Sequence, residues 1–134
     1  MKYILNITLG MGMLWLSAGY AKAQQVELLK PKDLGRWNIP PGNYSGITPI
    51  GDGRYAVVSD KSAGDGFYVF DIDIDSVSGK VRGVSNKGFR SSGTPNRDQE
   101  GIAYEPRRGR VYVSGEKDNR VLEYDSAGLL TGRQ

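Results

Sequence analysis

Strand-like patterns of apolar and polar side chains fill the chain from residue 43 onward. Residues 54–60 (RYAVVSD) and 66–75 (GFYVFDIDID) are rich in aromatic and β-branched side chains. From Phe70 the second segment alternates apolar and acidic residues, which is the period of a half-buried strand. Similar segments follow at residues 101–106, 110–116 and 120–125. Clusters of Gly, Asp, Asn and Ser separate them and no useful helical periodicity occurs, so the pattern predicts an all-β fold.

The strand pattern repeats within the chain at an interval of about 55 residues, in the range that indicates propellers or solenoids. Three short segments align in this repeat: residues 45–47 with 100–102, 54–55 with 110–111, and 58–59 with 113–114. Each unit reads strand, turn, strand, loop, strand, which is most of a four-stranded propeller blade. The stretch at 78–98 is long enough to supply an outer strand and a crossing loop. We therefore expect about two antiparallel β-propeller blades.

The first residues have the layout of a cleavable secretory signal. Lys2 precedes a mostly apolar run at residues 3–16, and Ala21-Lys22-Ala23 forms an A-x-A cleavage pattern. A membrane anchor is the rival interpretation, but Asn6, Thr8 and three glycines interrupt the run, and a stable span needs about 20 strongly apolar residues. We expect residues 1–23 to be a signal peptide, with no stable membrane anchor after cleavage and a secreted or periplasmic protein.

Two further segments complete the predicted organisation of the chain. Residues 24–42 form a lead-in that includes the proline-rich IPPG, which is unsuited to regular structure. Residues 43–134 form the partial propeller domain. The densest basic stretch, EPRRGR at 105–110, is typical of a polar hairpin turn. The acidic run DIDID at 71–75 alternates with Ile and lacks the glycine of a calcium loop, which favours a strand edge.

Charge and composition exclude several classes of function. The chain has 18 basic and 15 acidic residues, and removal of Lys2 and Lys22 with the signal leaves 16 basic residues. The basic and acidic totals then nearly balance, and the basic residues do not cluster into a stripe, so we expect no nucleic-acid partner. The chain has no Cys and no His, which excludes disulfides, a histidine base and the commonest zinc ligand. Any chemistry must use carboxylates, hydroxyls, Lys, Arg, Tyr or a bound hard cation.

Three motifs resemble the phytase-like propeller family, whose members are often described as having esterase-like activity. They are D-x-E-G-I-A at residues 98–103, G-R-V-Y-V-S-x-E at 109–116 and R-V-x-x-Y-D-x-x-G at 120–128. The upstream segments at 44–60 and 67–73 look like the opening blade of that family. The resemblance covers residues 43–128 and implies a closed propeller, which needs at least about four blades. Since two blades leave open faces, we expect a truncated fragment of a longer protein, or else several copies assembled into one ring.

Blade geometry brings several carboxylates to one end of the predicted blades. The first strand of a blade lines the central channel and the second returns antiparallel to it, so a residue before strand one lies near a residue after strand two. We therefore expect four carboxylates to converge there: Asp60, Asp98, Glu100 and Glu116. Clustered carboxylates in an exported protein suggest Ca²⁺, which takes six to eight oxygen ligands. The alternative is that these residues form turns or solubilise the surface.

The resemblance implies a matching chemistry. Phytase-type propellers are understood to bind substrate phosphate through Ca²⁺ rather than through His or Cys. In that scheme Lys61, Arg97 or Lys117 would pair with phosphate oxygens. Serine catalysis is disfavoured, because the chain has no histidine base and no G-x-S-x-G elbow. The resemblance assigns no catalytic residue to this chain.

Two functions follow from the sequence. The first is an exported, metal-assisted phosphoester or ester hydrolase of the phytase-like propeller type, present here as its N-terminal portion and inactive alone. The second is a non-catalytic propeller that binds a carbohydrate, a peptide or a cell-surface ligand. Both functions imply a small-molecule or surface ligand as the partner.

Overall fold

The structure, a computed structural model, describes residues 27–133, which form two antiparallel β-sheets. The strands are β1 (Tyr44–Gly51), β2 (Arg54–Ser59), β3 (Gly66–Ile74), β4 (Val81–Ser91), β5 (Gln99–Glu105), β6 (Arg110–Gly115) and β7 (Arg120–Tyr124). The first sheet has the order β1-β2-β3-β4 and the second the order β5-β6-β7. Each sheet is a simple meander, and the two do not close into a barrel within the described residues. The predicted all-β fold with about two antiparallel propeller blades is confirmed.

The two innermost hairpins share a β-bulge at the same place. In the first hairpin the register between β1 and β2 skips Ser45. In the second hairpin the register between β5 and β6 skips Glu100. A bulge adds one residue to one strand and redirects its side chain. The predicted equivalence of Ser45 and Glu100 is therefore borne out by their identical place in the pairing.

One detail of the internal alignment is wrong. Val57 and Val113 occupy equivalent register positions in the two hairpins, whereas the sequence alignment paired Val58 with Val113. The error of one residue arises because the alignment matched the identical Val-Ser pairs at 58–59 and 113–114, whereas the offset that relates residues 54–55 to 110–111 continues to the end of β2.

The two sheets pack face to face over a shared apolar core. Its buried members come from the middle strands and their neighbours: Ala56, Val58, Phe67, Val69, Val111, Val113 and Tyr124. Because side chains alternate across a strand, Val57 lies between Ala56 and Val58 but faces the other side of the first sheet. This stacking of one sheet on the next is the packing of neighbouring propeller blades.

The lead-in covers part of the free face of the first sheet. It contains one short 3₁₀ helix, η1 (Leu34–Trp37), which begins where the Asp33 carboxylate accepts a hydrogen bond from the Gly35 amide at 2.9 Å. Shortly after this helix, Ile39 is buried against Val57 and Phe70. The predicted irregular lead-in is thus mostly irregular, and its apolar side chains shield the first blade.

The outer positions of both blades are filled. The segment predicted to supply an outer strand does so, because β4 pairs along most of the length of β3. Beside β7, Leu130 bridges to Tyr124, and the Thr131 amide donates to the Glu123 carbonyl at 3.0 Å. The segment after β7 thus lies where the outer strand of the second blade belongs.

Several smaller predictions can also be compared with the structure. The acidic run after Phe70 lies in β3 up to Ile74, as expected for a strand. The basic segment between β5 and β6 is a hairpin turn. The predicted signal peptide, residues 1–23, lies outside the described residues. Across residues 27–133, the structure has no helix with the length and apolar character needed to cross a membrane.

Candidate functional site

One end of the two blades carries the candidate site, and this end is called the rim below. In the first blade the amide of Asp60, just after β2, donates to the carbonyl of Asn43, just before β1, at 3.2 Å. In the second blade the amide of Glu116, just after β6, donates to the carbonyl of Asp98, just before β5, at 2.9 Å. In both blades, a residue just before the first strand therefore lies next to a residue just after the second strand, as expected.

Three of the four predicted carboxylates converge at the rim. Asp60, Asp98 and Glu100 each offer one oxygen, and these three oxygens lie within 4.8 Å of one another. Asp60 comes from the first blade, whereas Asp98 and Glu100 come from the second. Asp98 has a left-handed backbone with φ of 58°, and Glu100 is the bulged residue of β5. Two local irregularities thus accompany the convergence of the carboxylates.

Glu116, the fourth predicted carboxylate, lies at the same end of the blade but outside this group. Its side chain is exposed, and its contribution to the rim is the amide that binds the Asp98 carbonyl. Glu116 follows the last residue of β6, where strand alternation no longer determines the side-chain direction. The structure therefore places its backbone as predicted without bringing its carboxylate to the other three.

Two lysines flank the carboxylates. Lys61 Nζ lies 3.2 Å from Asp60 Oδ2 and 3.7 Å from Asp98 Oδ1. Lys117 Nζ lies 4.0 Å from Asp98 Oδ2 and 3.4 Å from Asn96 Oδ1. The pKa of Lys61 is raised, first by its hydrogen bond to Asp60 and then by the nearby charges of Asp60 and Asp98. Both lysine side chains are more than half exposed, so their ammonium groups are free to reorient toward a ligand.

Asp60 has a buried carboxylate oxygen without a hydrogen-bond partner in the part of the chain that the structure describes. Its Oδ2 atom receives Lys61 and the Asn43 side-chain amide, the latter at 3.4 Å. Its Oδ1 atom is buried and has no hydrogen-bond partner among the described residues. The side chain as a whole is 18% exposed. A buried, unpaired carboxylate oxygen is costly unless a donor or cation satisfies it, so Asp60 fits the donor set of a cation site.

Arg97, predicted as a ligand residue, is committed to the protein interior. Its Nε and Nη2 atoms donate to the two Asp118 oxygens at 2.7 and 2.9 Å, and its Nη1 donates to the Tyr124 hydroxyl at 3.0 Å. Nη2 also donates to the Arg120 carbonyl at 2.8 Å. Burial alone would lower the pKa of Arg97, but the hydrogen bonds to Asp118 and Tyr124 raise it. The Arg97 side chain is 11% exposed, and its bidentate contact with Asp118 forms an internal clamp on the second blade.

A buried polar network lies directly beneath the rim, and sequence analysis missed it. Asp65 is fully buried and receives hydrogen bonds from the Tyr124 hydroxyl, Gln99 Nε2 at 3.0 Å and Ser92 Oγ at 2.8 Å. Burial raises the pKa of Tyr124, and its hydrogen bond to Asp65 raises it further. In the sequence Asp65 stands in SAGDG, which has only the composition of a turn.

The serines at the strand ends are used in structural hydrogen bonds. Ser45 Oγ donates to the Gln99 carbonyl at 2.6 Å, which joins β1 to β5. Ser114 Oγ accepts from the Gly101 amide at 2.9 Å. Since the chain has no histidine to act as a base, these contacts give a structural reason for both hydroxyls.

The fold and the rim together define an open pair of β-propeller blades with an acidic, lysine-flanked end. The family model "Phytase-like", described as esterase-like activity of phytase, matches residues 39–134. This range covers most of the chain, and the protein belongs to the phytase-like family. Neither the curated proteins nor the solved structures contain a match to it.

Proposed function

We propose that these blades belong to an exported phytase-like propeller that hydrolyses phosphoesters or esters with the help of a Ca²⁺ ion at the rim. The convergence of Asp60, Asp98 and Glu100 from two different blades carries this proposal. Membership of the phytase-like family supports it at the level of the reaction class. The unpaired Oδ1 of Asp60 supports a cation at this place, because a hard cation satisfies an anionic oxygen that no donor reaches.

The donor set suits a hard cation. Asp60, Asp98 and Glu100 supply oxygen ligands alone, which Ca²⁺ prefers, and its remaining ligands would come from water and substrate oxygens. A bound cation supplies Lewis-acid polarisation of a phosphoryl or carbonyl oxygen. Glu100 is exposed, so the group is accessible from solvent.

The flanking lysines would bind the anionic part of the substrate. In the absence of a cation, Lys61 and Lys117 pair with the carboxylates of Asp60 and Asp98. A cation would compete with them for those oxygens, and the long, exposed side chains would turn toward phosphate oxygens instead. Lysine acts there as a mobile point charge rather than as a rigid bidentate fork. In this proposal Arg97 does not contact the substrate, because its donors are bound inside the second blade.

A second function is favoured by the same ion pairs. Lys61 and Lys117 leave the three-carboxylate group nearly neutralised, as on a solvated surface without a metal. In that case the propeller would be non-catalytic, and its rim would bind a carbohydrate, a peptide or a cell-surface ligand. The two functions differ in whether Ca²⁺ changes stability and turnover.

A matched pair of variants tests the proposed metal site. Calcium binding is measured by isothermal titration, and hydrolysis of p-nitrophenyl phosphate and p-nitrophenyl acetate is followed with Ca²⁺ and with chelator. Glu100→Gln should weaken Ca²⁺ binding at least about tenfold, because it removes one anionic ligand. Glu116→Gln is the control, since Glu116 lies at the same end outside the group, and it should leave the affinity unchanged. Equal loss in both variants, or no effect of Ca²⁺ on the wild-type protein, would reject the metal-assisted hydrolase.

A further inference from the structure

Gln99 separates the two rim carboxylates of the second blade in the sequence, and it is fully buried. Its side chain enters the first blade, where Nε2 donates to Asp65 Oδ1 at 3.0 Å. Its carbonyl accepts the hydroxyl of Ser45, on β1, at 2.6 Å. Gln99 is therefore tied to the first blade through both its side chain and its backbone. The flanking residues Asp98 and Glu100 are less buried than Gln99 and belong to the rim group.

Asn96 extends this connection to Asp98. The Asn96 Nδ2 atom donates to Gln99 Oε1 at 2.9 Å and to the Ser62 carbonyl of the first blade at 3.0 Å. Its Oδ1 atom accepts from the Asp98 amide at 2.7 Å. This last bond stabilises the left-handed backbone of Asp98, a conformation that is unfavourable for most residues without a local partner.

The buried network therefore ties the segment after β2, which contains Asp60, to the segment that contains Asp98 and Glu100. Asp60 follows β2 of the first blade, and Asp98 and Glu100 flank the residue that is bound to that blade. A shift of Gln99 relative to Asp65 would move Asp98 and Glu100 together with respect to Asp60. The polar partners of Gln99 are buried or partly buried, so water is a poor substitute for them.

We propose that Gln99 and Asn96 are positioning residues that set the distance between the carboxylates of the two blades. The ligand that these carboxylates serve is the cation of the proposed function, on which this part of the inference rests. Neither residue is proposed to touch the cation or the substrate. Groups that orient metal ligands through hydrogen bonds affect metal affinity strongly even though they make no contact with the metal.

The test compares two variants that differ in their distance from the rim. Gln99→Met keeps the length of the side chain but removes its amide, and should weaken Ca²⁺ binding about tenfold or more by isothermal titration. Val111→Ala makes a cavity in the same interblade core near the opposite hairpin turn, and should keep the affinity within about twofold. A merely structural role of Gln99 would lower the unfolding temperature in both variants and the affinity in neither. Equal affinity of wild type and Gln99→Met would overturn the inference.

A second variant covers the case in which Gln99→Met does not fold. Asn96→Ala removes the acceptor for the Asp98 amide and one partner of Gln99, at a site that is only partly buried. It should also weaken Ca²⁺ binding about tenfold, and an unchanged affinity would count against the inference.

Amide hydrogen exchange tests the positioning without a metal. The amides of Glu116 and Lys117 donate to the carbonyls of Asp98 and Arg97, so their exchange reports the order of the rim. Exchange of these two amides should be faster in Gln99→Met than in Val111→Ala, measured at equal global stability. Equal rates would overturn the inference. If the wild-type protein binds no Ca²⁺, the proposed function fails, and the exchange rates alone decide whether Gln99 positions the rim.

Discussion

The hydroxyl of Tyr124 lies 2.9 and 2.8 Å from the two carboxylate oxygens of Asp65. Tyr124 ends the last strand of the second blade, and Asp65 immediately precedes β3 of the first. The same hydroxyl accepts a hydrogen bond from Arg97 Nη1 at 3.0 Å. A chain of donors thus runs from the clamp of the second blade to a fully buried anion of the first. This contact makes the interface between the blades specific as well as apolar.

Removal of that hydroxyl should destabilise the pair of blades. Tyr124→Phe keeps the ring in the apolar core but leaves Asp65 and Arg97 without a shared partner. We expect a loss of about 1–3 kcal/mol in the free energy of unfolding, measured by urea denaturation, because buried polar groups lose a hydrogen bond. Tyr104→Phe is the control, since Tyr104 packs on the same core from β5. The interpretation fails if both variants lose the same stability.

Most of the fold could be predicted from the sequence because strands have a simple signature. Side chains alternate with period two, and clusters of glycine and aspartate mark the turns between them. The repeat also placed Ser45 and Glu100 at equivalent positions, and the two bulges agree with it. The alignment failed by one residue at Val58 and Ser59, where it matched two identical Val-Ser pairs instead of continuing the register of residues 54–55.

The site was only partly predictable. Blade geometry fixes the end at which a residue lies, and so Asp60, Asp98 and Glu100 were expected together. It does not fix side-chain directions beyond the strand ends, and this explains the separate position of Glu116. The interior role of Arg97 depends on Asp118, which lies in a different turn of the second blade. Contacts of this kind depend on tertiary packing and leave no local pattern in the sequence.

The clamp between Arg97 and Asp118 should make stability depend on pH. The Arg97 hydrogen bonds lower the pKa of Asp118 below its ordinary value of 3.8, despite an opposing effect of desolvation. A carboxylate with a lowered folded-state pKa stabilises the fold above its unfolded-state value. This contribution is lost as the pH falls through the folded-state value. The stability lost in Asp118→Asn should therefore be largest above about pH 4 and should shrink in more acidic solution.

Urea denaturation of wild type and Asp118→Asn across the acidic range measures this difference. Asp52→Asn is the control, because Asp52 forms an exposed ion pair with Arg54 that contributes little to stability. A difference between wild type and Asp118→Asn that stays constant with pH would contradict the assignment. In that case the negative charge of Asp118 would not contribute to the stability that the Arg97 clamp gives the second blade.

Substitution of Lys61 separates the two proposed functions. Lys61→Met removes the positive charge 3.2 Å from Asp60 Oδ2 while keeping much of the side-chain length. If the rim holds a cation, Ca²⁺ binding should strengthen by about two- to fivefold, because a competing exposed charge is gone. The KM for p-nitrophenyl phosphate should rise, since Lys61 would no longer attract the phosphate, whereas the KM for p-nitrophenyl acetate should change little.

Lys80→Met, on the loop before β4, is the control and should alter neither the Ca²⁺ affinity nor the KM. A non-catalytic rim predicts neither effect, because it offers no Ca²⁺ binding to strengthen and no phosphatase turnover to impair. Unchanged Ca²⁺ affinity together with unchanged KM would exclude Lys61 from both the cation site and the phosphate site.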